Sequence, residues 1–434
     1  MRKLKFWYFV LAALNTFATT WFSSYLFFLL RDRFGFGNRE NLWVSALYGL
    51  VYIPAAWQGG KFAQRRGFIT SLKVGFAGLA LMMIFGGLMH SVIGILCAMV
   101  GYTIALLFIW PALEALVSEN ETQAGVQHNV GIYNCTWALA GFVAYFIGGK
   151  LYDWFAHAAV FWIPAALFAL QFAIAVWLGK KKAESRELKV EDGAKPATSF
   201  HGIEPSDNGP SGASPKSHPL PGGEGRGEGE RNQTSSQATA HPEETAFRQP
   251  VPPKRFLQMA WLANPFAYVG INTVIAVMPG VGSKLGLTPT EVGFFCSVWW
   301  FARLVTFALL WQWRGWHYRF RWLLTSFIML VASFLWLLLA GHIWPLIIAQ
   351  LFFGFAVGLI YYSSLFYSMD VGGDTQGEHG GLHEAAIGVG AFVGPGIGAA
   401  ALQFSPTHSS NGVFAVSILL LCGLAGLIGL RLKR

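Results

Sequence analysis

Twelve apolar stretches, each about 17 to 25 residues long and able as a helix to cross a hydrocarbon core of about 30 Å, leave this chain little choice of fold. They start near Phe6, Asn41, Leu72, Val92, Val130 and Ala158, and again near Met259, Val292, Trp322, Ile343, Leu382 and Gly412. A polar run from Lys181 to Arg255 separates the two sets of six. Only 12% of the residues are charged, against about 25% in soluble domains. A backbone in lipid must satisfy its own polar groups, which a helix does. The expected class is an all-α integral membrane protein with twelve transmembrane helices in two six-helix pseudo-repeats, 1–180 and 256–434.

The second set repeats the first. Trp57-Gln58 recurs as Trp311-Gln312, Arg65 as Arg319, Trp7 as Trp261, His90 as His342, and Thr122-Gln123 as Thr375-Gln376. These pairs lie roughly 252 to 254 positions apart, the shared offset that a duplication leaves and coincidence does not. Repeats that meet at a central site are the usual plan of a secondary transporter. The run between them, 181–255, is rich in Pro, Gly, Ser, Glu and Lys, as in Pro221 to Gly229. It has too little apolar surface to offset its ordering entropy and reads as a disordered cytoplasmic tether; a regulatory tail or partner site is the alternative.

The net charge of +9 reports topology. With the N-terminus inside, sixteen Lys and Arg flank the inner ends, among them Arg2, Lys61, Arg65, Lys180, Arg319 and Arg431, against Arg31, Arg33, Arg39, Lys150 and Lys284 outside. That asymmetry satisfies the positive-inside rule, places both termini and the tether in the cytoplasm, and suits the inner (plasma) membrane. No nucleic-acid partner is needed to explain the charge. The basic start, Met1 to Lys5, leads into an apolar run without a small-residue cleavage site, so it reads as a retained first helix. Cys97, Cys135, Cys296 and Cys422 fall inside apolar stretches without metal-ligand spacing. No P-loop lysine pattern occurs, so direct ATP drive is not expected, and no cofactor or metal is.

Several local patterns carry a family resemblance. The loop after the second stretch reads Gly60-Lys61-Phe62-Ala63-Gln64-Arg65-Arg66-Gly67, and the fourth stretch ends Glu114-Ala115-Leu116-Val117-Ser118-Glu119. The fifth runs from Gly131-Ile132-Tyr133-Asn134 to Tyr152-Asp153, and the eleventh holds Gly394-Pro395-Gly396. Together these resemble the major facilitator superfamily, whose loop signature has a basic residue where Arg65 stands and an acidic one where Gln64 stands. The resemblance implies a cytoplasmic latch in which Arg65, on the Gly60 loop, pairs with Glu119; the second half has Arg319 and Asp370 in the comparable places. It also implies that helices one, four, seven and ten line a central cavity.

The polar residues are consistent with that implication. Helix one presents Asn15, Thr16, Thr19, Thr20, Ser23 and Ser24, and helix seven presents Asn264, Tyr268 and Asn272 at four-residue spacing, each on one face. Helix four offers Tyr102, Trp110 and Glu114, and helix ten offers Tyr361, Tyr362 and Tyr367. Hydroxyls in spanning helices commonly bond to backbone, so a packing role stands beside the substrate role for Ser and Thr.

Charges at membrane depth cost about 2.5 to 3.5 kcal/mol and mark function. Arg303 lies near the midplane of helix eight, preceded by Trp299 and Trp300; it suits an anionic group of the substrate or the cavity's electrostatics. Glu114, level with Asn134, is the candidate for proton coupling, because burial disfavours a carboxyl's charged form; a fixed bond to Asn134 is the structural alternative. His383 and Glu384 open the eleventh stretch, where capping or loop latching is expected.

The expected activity is secondary active transport of a small solute by alternating access, with proton symport as the first mechanism. Antiport, uniport and lipid movement are alternatives within transport; a transport-fold receptor or a membrane enzyme is the alternative outside it. The expected partners are membrane lipids, the solute and protons, with the chain acting as a monomer.

Overall fold

The computed structural model describes residues 2–119, 123–194, 252–371, 376–405 and 410–432. Met1–Lys182 and Val251–Arg434 form one compact unit, and Ala183–Pro250 forms another. Of the second unit only a helical stretch to Ala194 is described, so most of the expected tether lies outside the described residues.

Within the described residues every regular element is an α-helix. The first half supplies α1 (Arg2–Phe34), α2 (Asn38–Arg66), α3 (Phe68–Leu88), α4 (Val92–Leu106), α5 (Trp110–Ser118) and α6 (Gln123–Ala194). From the second half come α7 (Pro253–Lys284), α8 (Pro289–Gln312), α9 (Phe320–Leu339), α10 (Ile343–Val371), α11 (Gln376–Phe404) and α12 (Asn411–Leu432). Arg2 answers to Pro253, Asn38 to Pro289, Phe68 to Phe320, Val92 to Ile343 and Gln123 to Gln376. These starts lie 251 to 253 positions apart, close to the offset of the short sequence matches.

Two irregularities complete the correspondence. Pro111 opens α5 and lacks the N–H that would bond to Leu107, so α4 and α5 form one interrupted rod. The carbonyl of Phe108, in the break, accepts the hydroxyl of Ser71 at 2.6 Å. In α6 the helix is broken at Ala156 (φ 43, ψ −120), and its contacts reverse there. Tyr145 and Tyr152 meet Tyr25 and Asp32, climbing along α1. Beyond the bend, Ala159 meets Trp21 and Trp177 meets Trp7, descending it.

Nine segments among the described residues are long and apolar enough to cross a membrane, the doubled α6 being one of them. α1 and α2 are outside that set. Both carry a polar stripe, Thr16, Thr19, Thr20 and Ser23 in α1 and Ser45, Tyr48 and Tyr52 in α2, that lowers their mean hydropathy.

The halves meet along two seams built on small residues. In the first, Gly49 of α2 lies against the backbone of Ala391 and Phe392 in α11, and Gly388 of α11 lies against Tyr52 and Ile53. In the second, Gly141 of α6 faces the ring of Trp300 in α8, and Gly149 abuts Pro289 and Thr290. Lipid is as apolar as the side chains, so helices associate in it through such close approach rather than through hydrophobicity. The start of α8 is secured twice over. Thr288 and Glu291 form a capping box, and Asp153 of α6 accepts the N–H of Thr290 at 3.1 Å across the seam. A carboxylate there also suits the helix dipole.

This packing makes an unusual forecast. Replacing glycine by alanine inside a helix ordinarily stabilises it by about 1 kcal/mol. At Gly49 the added methyl would strike backbone, and overpacking of this kind costs about 1 to 3 kcal/mol. Thermal unfolding in detergent should show a lower melting temperature for Gly49→Ala, whereas Gly429→Ala, which meets open space, should leave it unchanged or raise it.

Candidate functional site

A cavity of about 180 Å³ lies between the halves. α1 contributes Thr16, Thr19, Thr20 and Ser23, α4 and α5 contribute Tyr102 and Trp110, and α7 contributes Tyr268 and Asn272. From α8 and α10 come Trp299, Trp300, Arg303 and Tyr361. Most of the anticipated positions, Thr19, Tyr102, Trp110, Tyr268, Asn272, Trp299, Arg303 and Tyr361, thus come together here.

Two anticipated residues do not line this cavity. Asn15 is completely buried (0% exposed) one position before Thr16, and one residue turns a helix by about 100°. Tyr362, next to Tyr361, instead packs on Trp316 and Phe307. The Thr16 and Thr19 hydroxyls donate to the carbonyls of Ala12 and Thr16, at 2.9 and 3.2 Å. Asn272 gives its amide to the carbonyl of Tyr268 at 3.1 Å.

Three helices contribute more than the sequence suggested. α2 adds Ser45, Tyr48 and Tyr52, α6 adds Tyr133 and Trp137, and α11 adds Glu384. Glu384 differs most from the capping or latching role that its sequence position suggests. Rather than capping a helix start, it is buried eight residues inside α11, where it accepts the hydroxyl of Tyr52 from the other half. Beside it, His383 is buried with Nδ1 3.3 Å from the hydroxyl of Ser364. The three- and four-residue spacing of Ser45, Tyr48 and Tyr52 was the available signal for α2, since it places all three on one face.

Arg303 is the cation of the cavity wall, and it is 2% exposed. Its central carbon lies 4.5 Å from the ring of Trp137 and 5.0 Å from that of Tyr361, with Phe307 and Trp300 at 5.5 and 5.7 Å. Desolvated cation–π contacts stabilise by about 2 kcal/mol or more at best, so the aromatic box offsets part of the cost of burying the charge. Ring faces do not take the place of hydrogen-bond acceptors. Nε and Nη2 of Arg303 have no hydrogen-bond partner among the described residues. The hydroxyl of Tyr268 lies within reach of the guanidinium and also feels Glu384 and Glu114.

Glu114 is buried on α5, outside the cavity wall, within electrostatic reach of Glu384. Two carboxyl groups, one from each half, therefore share one electrostatic neighbourhood. Asn134 does not provide the alternative fixed bond to Glu114. Its Oδ1 accepts Nε1 of Trp137 at 2.9 Å, and its Nδ2 has no partner among the described residues. Asn134 thus orients the indole that shields Arg303.

The latch is arranged differently from the expectation. Glu119 pairs with Lys182 at 2.8 Å, linking α6 to the residue after α5 within the first half, while Arg65 is exposed. Both partners are partly solvated, where such pairs contribute about 0 to 1 kcal/mol. Gly60 is buried against Gly381 of α11, which gives it a seam-packing role. The side chain of Asp370 lies outside the described residues.

The profile described as "Major Facilitator Superfamily" matches residues 8–250. No curated protein matches the chain in sequence. Among solved structures, the chain is similar in fold to the human organic anion transporter MFSD10 (TETRAN), with a TM-score of 0.62 and 12% identity over 98% of this chain and 99% of that one. A bacterial homologue of the human lysosomal transporter Spinster, inward-facing and unoccupied, gives a TM-score of 0.60 and 11% identity over 99% and 95%. The nucleoside transporter NupG gives 0.64 and 10% over 99% and 100%. Likeness at these identities is a likeness of fold.

The Tyr52 to Glu384 bond can be tested against a neighbour on the same helix. Removing one partner of a buried hydrogen bond costs about 1 to 3 kcal/mol. Tyr52→Phe should lower the melting temperature, while Tyr48→Phe, one turn away on the same wall, should leave it nearly unchanged.

Proposed function

The chain belongs to the Major Facilitator Superfamily, and from that premise we propose that it is a secondary active transporter that moves a small solute by alternating access around the cavity. The cavity itself carries the reading. It is walled by both halves, it is reached by side chains from α1, α2, α7, α8, α10 and α11, and it sits between seams where small residues bring the halves into close contact. Midplane sites at the meeting of repeats are how such proteins expose one site to either side of a membrane.

Proton symport follows from the charges. Glu114 belongs to the first half and Glu384 to the second, and each is buried. Ionisation at that depth is costly, so protonation of the pair and movement of the halves that carry it are linked. Tyr268, beside Arg303 and in the electrostatic field of both carboxyl groups, connects the occupied state of the cavity with that linkage. The distribution of Lys and Arg favours the inner (plasma) membrane, with both termini in the cytoplasm. A sensor without transport is the second reading; what supports transport over it is the placement of buried acidic groups on both moving halves.

Purified protein in vesicles, challenged with a solute panel with and without an inward proton gradient, tests this reading. Gradient-driven accumulation is expected, with Glu114→Gln reducing it by at least about tenfold, as loss of about 1.4 kcal/mol of coupling would, while exchange at equal concentrations persists. Undiminished accumulation by Glu114→Gln would remove Glu114 from the coupling scheme, and solute binding without movement would favour the sensor.

A further inference from the structure

We infer that the cavity selects a small organic monoacid, holding its carboxylate in the plane of the Arg303 guanidinium by two parallel hydrogen bonds from Nε and Nη2. The inference rests on the transporter reading, whose solute it specifies.

The two donors without partners are not an arbitrary pair. Nε–H and the adjacent N–H of Nη2 point the same way along one edge of the guanidinium, the edge whose spacing matches the two oxygens of a carboxylate. Arg303 is 2% exposed and lines the cavity with Nε and Nη2 themselves buried, so apart from the Tyr268 hydroxyl beside the guanidinium an acceptor for that edge comes from the cavity side. Trp137 and Tyr361, at 4.5 and 5.0 Å, crowd the guanidinium with rings, which favours an approach along its edge. Asn134 fixes the Trp137 indole through Nε1 at 2.9 Å, so the box keeps its shape without a ligand. A buried polar edge of this kind discriminates strongly, because a ligand that lacks the complementary group leaves it unpaired.

The charge count narrows the class further. Among the described residues Arg303 is the one Lys or Arg in the cavity wall, while Glu384 is in the wall and Glu114 is within its electrostatic reach. A singly charged acid balances Arg303; a phosphate monoester at about −1.5 to −2 would bring surplus negative charge towards two acidic side chains. Phe22, Tyr102 and Trp299, also in the wall, offer ring faces to the body of such an acid, aromatic or short aliphatic.

The test compares acids with their neutral amides: benzoate with benzamide, nicotinate with nicotinamide, indole-3-acetate with indole-3-acetamide, and hexanoate with hexanamide. Binding to the full chain in detergent is followed by microscale thermophoresis, and movement of the same compounds is followed in vesicles. At least one acid should bind at least about tenfold more tightly than its amide, a preference that Arg303→Lys, which keeps the charge but loses the fork, should largely abolish. The wild-type comparison needs no variant, so a misfolded substitution cannot decide it. Equal binding of acids and amides, binding of none of the acids, an acid preference intact in Arg303→Lys, or phenyl phosphate binding more tightly than benzoate would each overturn the proposal. Uptake of neutral solutes alone would refute the acid preference and leave transport standing, whereas Arg303-dependent acid binding without any movement would do the reverse.

Discussion

Close approach between α2 and α11 is the constraint on which the rest of the molecule depends. At Gly49 and Gly388 the two helices have no side chain to hold them apart, and in lipid only packing and hydrogen bonds draw helices together. Tyr52, one turn beyond Gly49, then reaches Glu384, one turn before Gly388. A larger residue at either glycine would separate the phenol from the carboxyl group and widen the cavity at its acidic wall. The second seam works in the same way. α6 meets α8 at Gly141 and Gly149, and that approach sets Trp137 over Arg303 at 4.5 Å.

The two halves begin their helices at matching intervals, but the charged groups do not match. Glu114 belongs to the first half only, and Arg303 and Glu384 to the second. Each is costly at its depth, and two are accommodated by neighbours across the cavity, Arg303 by the rings around it and Glu384 by the Tyr52 hydroxyl. Symmetry-related walls that carry unequal charges give the cavity one cationic side and one acidic side. Tyr268, in the same wall, feels the charge of all three groups.

Much of the fold was legible because lipid makes hydropathy nearly decisive. Val92 and Ile343 mark helix starts in both the sequence and the structure, and the boundary anticipated near Ala158 lies at the Ala156 bend. The eleventh helix was misplaced for the same reason that the others were found. Its opening turns, with Gly377, Glu378 and His379, are not apolar, so the hydropathy boundary at Leu382 falls well inside a helix that begins at Gln376. Glu384 therefore reads in the sequence as a capping or latching residue, although it is a buried cavity group. Arg303 was legible from charge alone. Trp137 was not, because a ring in a spanning helix carries the same pattern whether it meets lipid, a neighbour or a cavity. Lys182 as the partner of Glu119 was hidden by distance along the chain, since no sequence spacing reports which of two nearby cations a carboxylate meets.

Movement of the halves about the cavity is the central claim, and electron spin resonance distances test it most directly. With the four native cysteines replaced, one label pair at Gln64 and Arg314 spans the halves at one end, and another at Arg33 and Lys284 spans them at the other; all four positions are exposed. When pH is changed or benzoate added, one distance should lengthen as the other shortens. Two distances that stay fixed, or that change in the same sense, would contradict alternating access in this protein.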